Sequence, residues 1–505
     1  MKRTAASVLA VLLCFVCALT ASRVFSSAMG EAGTGTNIHA GDYVYDLLED
    51  GTARITAYRG EESEIVLPNT LDGHRVTSIG RVAFSFNDSI ERITLTTGLT
   101  EIEENPFYFC GKLTEIVVPE GNECFYTLDG VLFESSASRL VCYPAVLTDA
   151  EYTVPQGTRV IGAWAFGNDS IERLTLPDSV TQLGEYAFAF CSNLSEIALP
   201  ESITDLSDGA FMSTGLQSIA LPRGLVSLGK SSFAYCTALS DIVLPQGLQY
   251  IGSAAFDDCV SLESITIPDS VIWMGDNPFT GCTSLKEILV SEDQPCVCVR
   301  DGVLFRKEND SLICYPTALD AKEYAVPEGV RSIGSFAFFG SSLKSVTLRE
   351  GVKSIGYGAF MRCENLEAID LPDSLTLIEG HAFVNCFALQ KIVIPDSVAD
   401  IAAEAFMTCP KLREVVFPAS LKSIGQQAFY NCGLENVTLP EGIERIGEAA
   451  FARNKGLTSI NLPASLTEIG RSSFTNCDLL VAAVQRNTYA ETYCAEYGIA
   501  YNCSD

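Results

Sequence analysis

Nineteen cysteines and three histidines are the residues of this 505-residue sequence that first ask for a chemical explanation. Ten of the cysteines, Cys110, Cys191, Cys236, Cys259, Cys282, Cys363, Cys386, Cys409, Cys432 and Cys477, stand three places after a phenylalanine. A thiol becomes a nucleophile only when a base or a positive environment makes it a thiolate. The histidines, His39, His74 and His381, lie far apart, and only His381 has a thiol, Cys386, close by in the chain. Cys386 is a member of the periodic set, so its position follows from packing, and no catalytic residue is assigned. A metal site needs clustered ligands at short spacing. Cys296-x-Cys298 is too little, and no metal or cofactor is expected. Cys494 and Cys503 are candidates for a bridge across the C-terminal end, with free thiols the alternative. The tripeptide Pro-Asp-Ser at 177–179, 268–270, 372–374 and 395–397 reads either as turn chemistry or as a weak cation edge. No phosphate-cradling glycine loop, zinc-protease motif or acid/base carboxylate pair stands out.

The spacing of the phenylalanines shows what positions these residues. From 157 to 290 the anchors are Phe166, Phe188, Phe211, Phe233, Phe256 and Phe279. They recur at a nearly constant interval of about 22–23 residues, and a fixed period of this length marks a solenoid. Two earlier anchors, Phe84 and Phe107, and seven later ones, Phe338, Phe360, Phe383, Phe406, Phe429, Phe451 and Phe474, bring the array to fifteen. The beat breaks twice, and by the same length, between Phe107 and Phe166 and between Phe279 and Phe338. Both gaps contain Asp-Gly-Val-Leu-Phe (129–133 and 301–305) and Cys-Tyr-Pro (142–144 and 314–316), the two motifs separated from their copies by one common offset. Cys124 and Cys296 share that offset. A larger module, repeats plus insert, is therefore duplicated, and each insert reads as a β-hairpin or small meander around an Asp-Gly turn.

The expected organisation is 1–28 signal peptide; 29–75 linker and N-terminal β-hairpin cap; 76–119 repeats; 120–156 insert; 157–290 repeats; 291–328 insert; 329–479 repeats; and 480–505 C-terminal cap with a helix ended by Gly498. The leader reading rests on Lys2 and Arg3, the apolar run Val8 to Leu19, and the small residues Ser26-Ser27-Ala28. That run is too short for a comfortable membrane span. Cleavage after Ala28 removes Lys2, Arg3 and Arg23 and no acid, taking the formal charge from −30 to −33.

One repeat can build one coil. In Leu194-Ser-Glu-Ile197-Ala-Leu199-Pro200 the alternating Ile197 and Leu199 predict a short strand, stopped by a proline that lacks a ladder donor. A second apolar pair such as Leu225 and Leu228 follows, then a glycine, and Ala187-Phe188-x-x-Cys191-x-x-Leu194 has the spacing of one or two helical turns. Stacked coils at about 4.8 Å per strand predict a curved rod on the order of 80 Å long. The fold class is thus a repeat solenoid of short β-strands and helical turns, with about fifteen repeats and two inserts. Within the strands the outward position falls on Thr175, Ala198, Ala220, Val243, Thr266, Thr347, Asp370, Val393, Val416, Thr438 and Asn461. These small, mostly uncharged residues are either ordinary strand residues or a docking stripe for a protein partner. Arg306 and Lys307, at the charged tip of the second insert, are a second candidate contact.

The composition, 63 acidic against 33 basic residues with a pI near 4.4, disfavours nucleic acid and anionic membrane as partners. The recurring Leu-x-x-Ile-x-Leu-Pro-x-Ser/Gly-Val/Leu-x-x-Ile-Gly-x-x-Ala-Phe-x-x-Cys, over residues 42–500, resembles the BspA-like class of leucine-rich repeats. Thr214, Ser341 and Asn454 stand where that class has cysteine, and Leu348-Arg349 replaces Leu-Pro. The resemblance implies an exported, curved, non-enzymatic scaffold that binds an extracellular protein ligand, in adhesion to a host or neighbouring cell. Its alternative is a structural or carbohydrate-binding component of the cell envelope.

Overall fold

A computed structural model describes residues 35–504 except 137, 148 and 167–170. The expected signal peptide, 1–28, lies outside the described residues, as do Cys14 and Cys17. The chain divides into two compact units, residues 1–130 and 131–505.

In the first unit, Tyr43–Leu47 and Ala53–Tyr58 run antiparallel, and Ile38–Ala40 adds a strand outside them. The intervening turn forms because Gly51 takes a positive φ of 80° while Asp50 accepts hydrogen bonds from the amide and hydroxyl of Thr52. Ala53–Tyr58 then pairs in parallel with His74–Ile79, and the coils begin. Glu64–Val66, Arg92–Thr94 and Glu115–Val117 form their parallel ladder.

The second unit is a stack of coils, each contributing one strand to each of two parallel ladders. The first ladder holds the Ile-x-Leu strands, such as Arg173–Thr175 and Glu196–Ala198, in a register of one coil, Leu174 opposite Ile197. The second holds two-residue strands that the sequence marked only as an apolar pair: Asp205–Leu206, Ser227–Leu228, Tyr250–Ile251 and Trp273–Met274 run side by side. The following glycine is required by coil-to-coil approach. A Cβ on Gly252 would lie 2.5 Å from the amide nitrogen of Lys230 in the preceding coil.

The third side of each coil departs from the sequence expectation. The Ala-Phe-x-x-Cys segments are chains of turns, not helical turns. At most anchors the residues two before and two after the phenylalanine adopt the left-handed region, as in Tyr186 (φ 56°) and Phe190 (φ 65°) around Phe188. Bulky side chains rarely accept this conformation, and the compensation is visible. Tyr186, Phe188 and Phe190 donate their amides to Asp208, Ala210 and Met212 of the next coil at 2.9, 3.0 and 2.8 Å. A helix would spend those same amides on carbonyls of its own segment. The apolar spacing is shared by both conformations, so it could not separate them. The one α-helix of the described residues is α1, Tyr489–Tyr497, capped by Thr488 and ended by Gly498 at φ 68°.

The core is a stack of rings. Within each uninterrupted block, consecutive anchors lie 4.8–5.8 Å apart from centroid to centroid. Four tyrosines extend the fifteen phenylalanines: Tyr58 precedes Phe84, Tyr143 precedes Phe166, Tyr315 precedes Phe338, and Tyr493 follows Phe474. Tyr143 and Tyr315 donate their amides to Ala165 and Ala337, just as Phe188 does to Ala210. Three of these rings fall before residue 131 and sixteen after it, so the described residues make about nineteen coils where the phenylalanines alone mark fifteen. A period marked by phenylalanine does not reveal tyrosine in the same slot.

In the second insert, Val297–Arg300, Val303–Arg306 and Ser311–Cys314 form an antiparallel meander. Its last strand joins the second ladder in parallel with Ser332–Ile333. In the first insert, Val131–Glu134 and Arg139–Cys142 repeat the pattern, with the same register break at Leu132/Phe133 as at Leu304/Phe305.

Candidate functional site

The cysteine column is internal. Cys191, Cys236, Cys259, Cys282, Cys363, Cys386, Cys409, Cys432 and Cys477 are buried, and each thiol donates to the carbonyl oxygen of the anchor phenylalanine one coil earlier. Cys236 reaches Phe211 at 3.0 Å and Cys386 reaches Phe360 at 3.2 Å. Burial pushes the Cys236 thiol up to about 11 and that of Cys363 to about 12, the reverse of what nucleophilic catalysis needs. Where the column lacks cysteine, Asn454 does the same work, donating its side-chain amide to Phe429 at 2.8 Å. Thr214 and Ser341 instead face the sulfurs of Cys236 and Cys363 at 3.2 and 3.4 Å.

His381 and Cys386 do not pair. His381 sits in the left-handed slot before Phe383, with its Nε2 2.9 Å from Glu404 and its ring 4.7 Å from that of Tyr357. Cys494 and Cys503 are both free thiols: Cys494 is buried on α1, and Cys503 is exposed on the last strand, Ala500–Ser504. Among the described residues no three His, Cys, Asp or Glu side chains gather as a metal site, and no helix is long and apolar enough to cross a membrane. Cys296 and the start of the second insert are held by Gln294, whose Oε1 accepts from the amides of Cys296 and Val297 at 2.7 and 2.8 Å. Asn122, at the equivalent place in the first insert, does this for Cys124 and Phe125.

The Pro-Asp-Ser segments are turns, with Val180 donating its amide to Pro177 at 3.0 Å. Their serines bond the preceding coil: Ser179 reaches the carbonyl of Thr158 at 2.7 Å and Ser270 that of Leu248 at 2.6 Å. One acidic pair is unusual. Burial, then the charge of neighbouring Asp258, holds the Asp257 carboxyl well above the ordinary range. Burial raises Asp258 to about 6, against the lowering influence of Arg362.

The first ladder brings most of the sequence-derived stripe together. Thr175 lies opposite Ala198, Thr347 opposite Asp370, Val393 opposite Val416 and Thr438 opposite Asn461. Ala220 and Val243 directly follow the paired strands Ser218–Ile219 and Asp241–Ile242. All are exposed except Asn461, and Val243 retains 75% of its accessible surface. Asn461 is half-buried because its side chain bonds both backbone groups of Leu439, at 2.6 and 2.8 Å. Thr266 lies opposite Leu289, an exposed apolar residue that belongs to the stripe. The sequence reading did not include it, and Ser291 stands there in place of the proline that ends most of the other strands. The stripe is bordered by inter-coil ion pairs such as Lys344–Glu367 (3.0 Å) and Lys391–Glu414 (2.7 Å). Such exposed pairs contribute about 0–1 kcal/mol each, so they shape the border more than they stabilise it.

Arg306 and Lys307 do not join the stripe. The Arg306 guanidinium bonds the carbonyl of Gly275, just past the second-ladder strand Trp273–Met274, at 3.2 Å, and the Lys307 ammonium bonds that of Gln294. Both cations are partly tied down rather than free at a tip. The second ladder also exposes residues that the sequence reading did not single out, Tyr250, Ile272 and Trp273. The available signal was two aromatic residues in a slot where other coils carry Gln182, Asp205 or Ser227.

A family model described as a BspA-type leucine-rich repeat region matches in six copies, over residues 61–143, 159–286, 314–391 and 376–497. No curated protein matches the sequence. Among solved structures, a leucine-rich cell surface protein from Faecalibacterium prausnitzii is 24% identical, with 92% of this chain and 98% of that one covered and a TM-score of 0.40. The pneumococcal vaccine antigen PcpA is 20% identical, with 93% and 99% covered and a TM-score of 0.49. A leucine-rich-repeat protein from Bacteroides ovatus is 21% identical, with 93% and 100% covered and a TM-score of 0.40.

Proposed function

Because this chain belongs to the BspA-type leucine-rich-repeat family, we propose that it is an exported or surface-displayed scaffold that binds an extracellular protein ligand and performs no catalysis. The observation that carries this reading is the first-ladder stripe, in which Leu289, Val393 and Val416 stand exposed on in-register parallel strands and Val243 stands exposed directly after one. An exposed apolar surface on an otherwise charged protein is the composition of a docking face. The ladder bonds hold its backbone in place before any partner arrives, so little order is lost on binding. The chemistry-bearing side chains support the non-catalytic part: the column thiols are donors to carbonyls, and their protonated form is favoured by burial. Export is supported by the sequence of residues 1–28, whose positive end, apolar run and small-residue site read as a leader.

The test is capture of ligands by the intact protein from a panel of extracellular-matrix proteins and, separately, of glycans. It compares wild type with the exposed-stripe variants Val243→Asp and Val393→Asp. Protein capture that these variants abolish supports the reading. Capture of glycans alone, or protein capture that both variants leave intact, overturns the assignment to this face.

A further inference from the structure

The second ladder carries a cluster that binding through the first does not use. Tyr250 and Trp273 are in-register partners on adjacent coils, and they stand 41% and 47% exposed. Ile272, beside Trp273, is 53% exposed, and its amide is held by the carbonyl of Gln249 at 3.0 Å. Three large side chains are thus presented to solvent from ladder backbone, paired on both sides at Tyr250 and on one side at Trp273, the last strand of its sheet. Trp and Tyr are the residues around which interface energy concentrates, because a few rigid rings desolvate much area at little entropic cost. The cluster ends at the second insert, where Arg306 is tied to Gly275.

Charge identifies the class of occupant. Residues 171–290 contain 14 acidic and 4 basic side chains, within a chain of formal charge −30. Asp205 lies two coils before Trp273's neighbour Tyr250 on the same ladder, and Asp269 and Asp276 stand exposed on either side of Trp273 in the chain. Such a field repels a second copy of this chain and any polyanion, and it steers cations inward. The faces of Trp and Tyr rings attract the same cations. We propose that Tyr250, Ile272 and Trp273 form a docking site for a basic protein segment, whose Arg or Lys side chains lie over the two rings with their aliphatic stems against Ile272. The proposal rests on the scaffold reading only in taking the ligand to be a protein, and it uses a different face.

Trp273 offers a direct readout, since the chain has two tryptophans and the other, Trp164, is 6% exposed. The intact protein is titrated at near-physiological salt with nona-arginine, and in separate arms with oligoglutamate and with cellohexaose, while tryptophan emission is followed. The expected result is a saturable change with nona-arginine alone. Calorimetry should then show affinity weakened more than about tenfold in Trp273→Ser and in Tyr250→Ser, as for an interface anchor, and weakened less in Trp273→Phe. Leu479→Ser, at an exposed apolar residue outside both faces, should leave it unchanged. Equal affinity in wild type and Trp273→Ser overturns the site, because charge alone then explains binding. A response to cellohexaose in place of nona-arginine overturns it in favour of a sugar platform. Thermal unfolding of each variant confirms that these exposed substitutions leave the fold intact. If Val243→Asp abolishes ligand capture while Trp273→Ser changes nothing, this site falls and the first-ladder reading stands.

Discussion

The thiol of Cys386 donates to the carbonyl oxygen of Phe360, 3.2 Å away in the preceding coil. The same relation recurs down the stack, and where Asn454 replaces cysteine its amide nitrogen meets Phe429 in the same way. The periodic cysteine is therefore a hydrogen-bond donor as well as a small apolar residue. It is a second donor to a buried carbonyl whose other lone pair already accepts a turn bond, as the Phe360 carbonyl does from the Cys363 amide at 3.2 Å.

Removing that donor should cost more than volume alone. Cys386→Val keeps the bulk but leaves the Phe360 carbonyl with the Cys363 amide as its remaining donor, and about 0.5–1.5 kcal/mol of stability should be lost. Asn454→Cys, which keeps a donor, should be milder than Asn454→Val. Chemical denaturation of these variants against wild type measures both comparisons. No loss in Cys386→Val, or equal losses in the two Asn454 variants, would reduce the column to simple packing.

Coil approach predicts opposite fates for two nearby glycines. Gly252→Ala places a methyl 2.5 Å from the Lys230 amide nitrogen, a backbone atom that cannot swing away. A loss of about 1–3 kcal/mol is expected. Gly247→Ala meets nothing closer than 3.5 Å, at the Arg223 carbonyl, and should be neutral or slightly stabilising by restricting the unfolded chain. Melting temperatures of the two proteins decide the matter.

The acidic pair sets a pH dependence. Asp258 is raised from the ordinary carboxylate value of 3.8 to about 6, so between those values the folded state binds more protons than the unfolded one. Stability contributed by this group is present at low pH and falls as pH rises through that window. Asp258→Asn should flatten that slope and raise the melting temperature near neutrality. A variant that keeps the wild-type slope between pH 4 and about 6 would show that Asp258 is not its source.

Thiol accessibility separates the cysteines by position. Cys503 is exposed, whereas the column thiols are buried and held protonated. A disulfide reagent should label Cys503 rapidly in the native protein and reach Cys236, Cys363 or Cys386 only on unfolding. Mass spectrometry of labelled peptides reads the order, and early labelling of the column would contradict its burial.

Much of this molecule was legible from spacing. A fixed phenylalanine period, an alternating Ile-x-Leu pair ended by proline, and a duplicated Asp-Gly-Val-Leu-Phe insert determine a parallel stack and its interruptions, because each rests on side-chain periodicity or on φ restriction within a few residues. The outward stripe from Thr175 to Thr438 followed from the same alternation. Tertiary structure decided what spacing leaves open. Ala-Phe-x-x-Cys fits a helix and a left-handed turn series equally well in its apolar pattern, and only the amide bonds from Phe188 to Ala210 and its neighbours favour the turns. Tyr58, Tyr143, Tyr315 and Tyr493 joined the ring column because stacking depends on position across coils rather than on residue identity. Arg306, a tip in the sequence, is drawn to Gly275 by a meander that folds back on the stack. Asn461 likewise turned from the open stripe to Leu439 because a carboxamide finds backbone partners in the adjacent strand. Local pattern specifies which face a side chain takes within its own coil, while its partner belongs to a coil one period away and is fixed only when the coils stack.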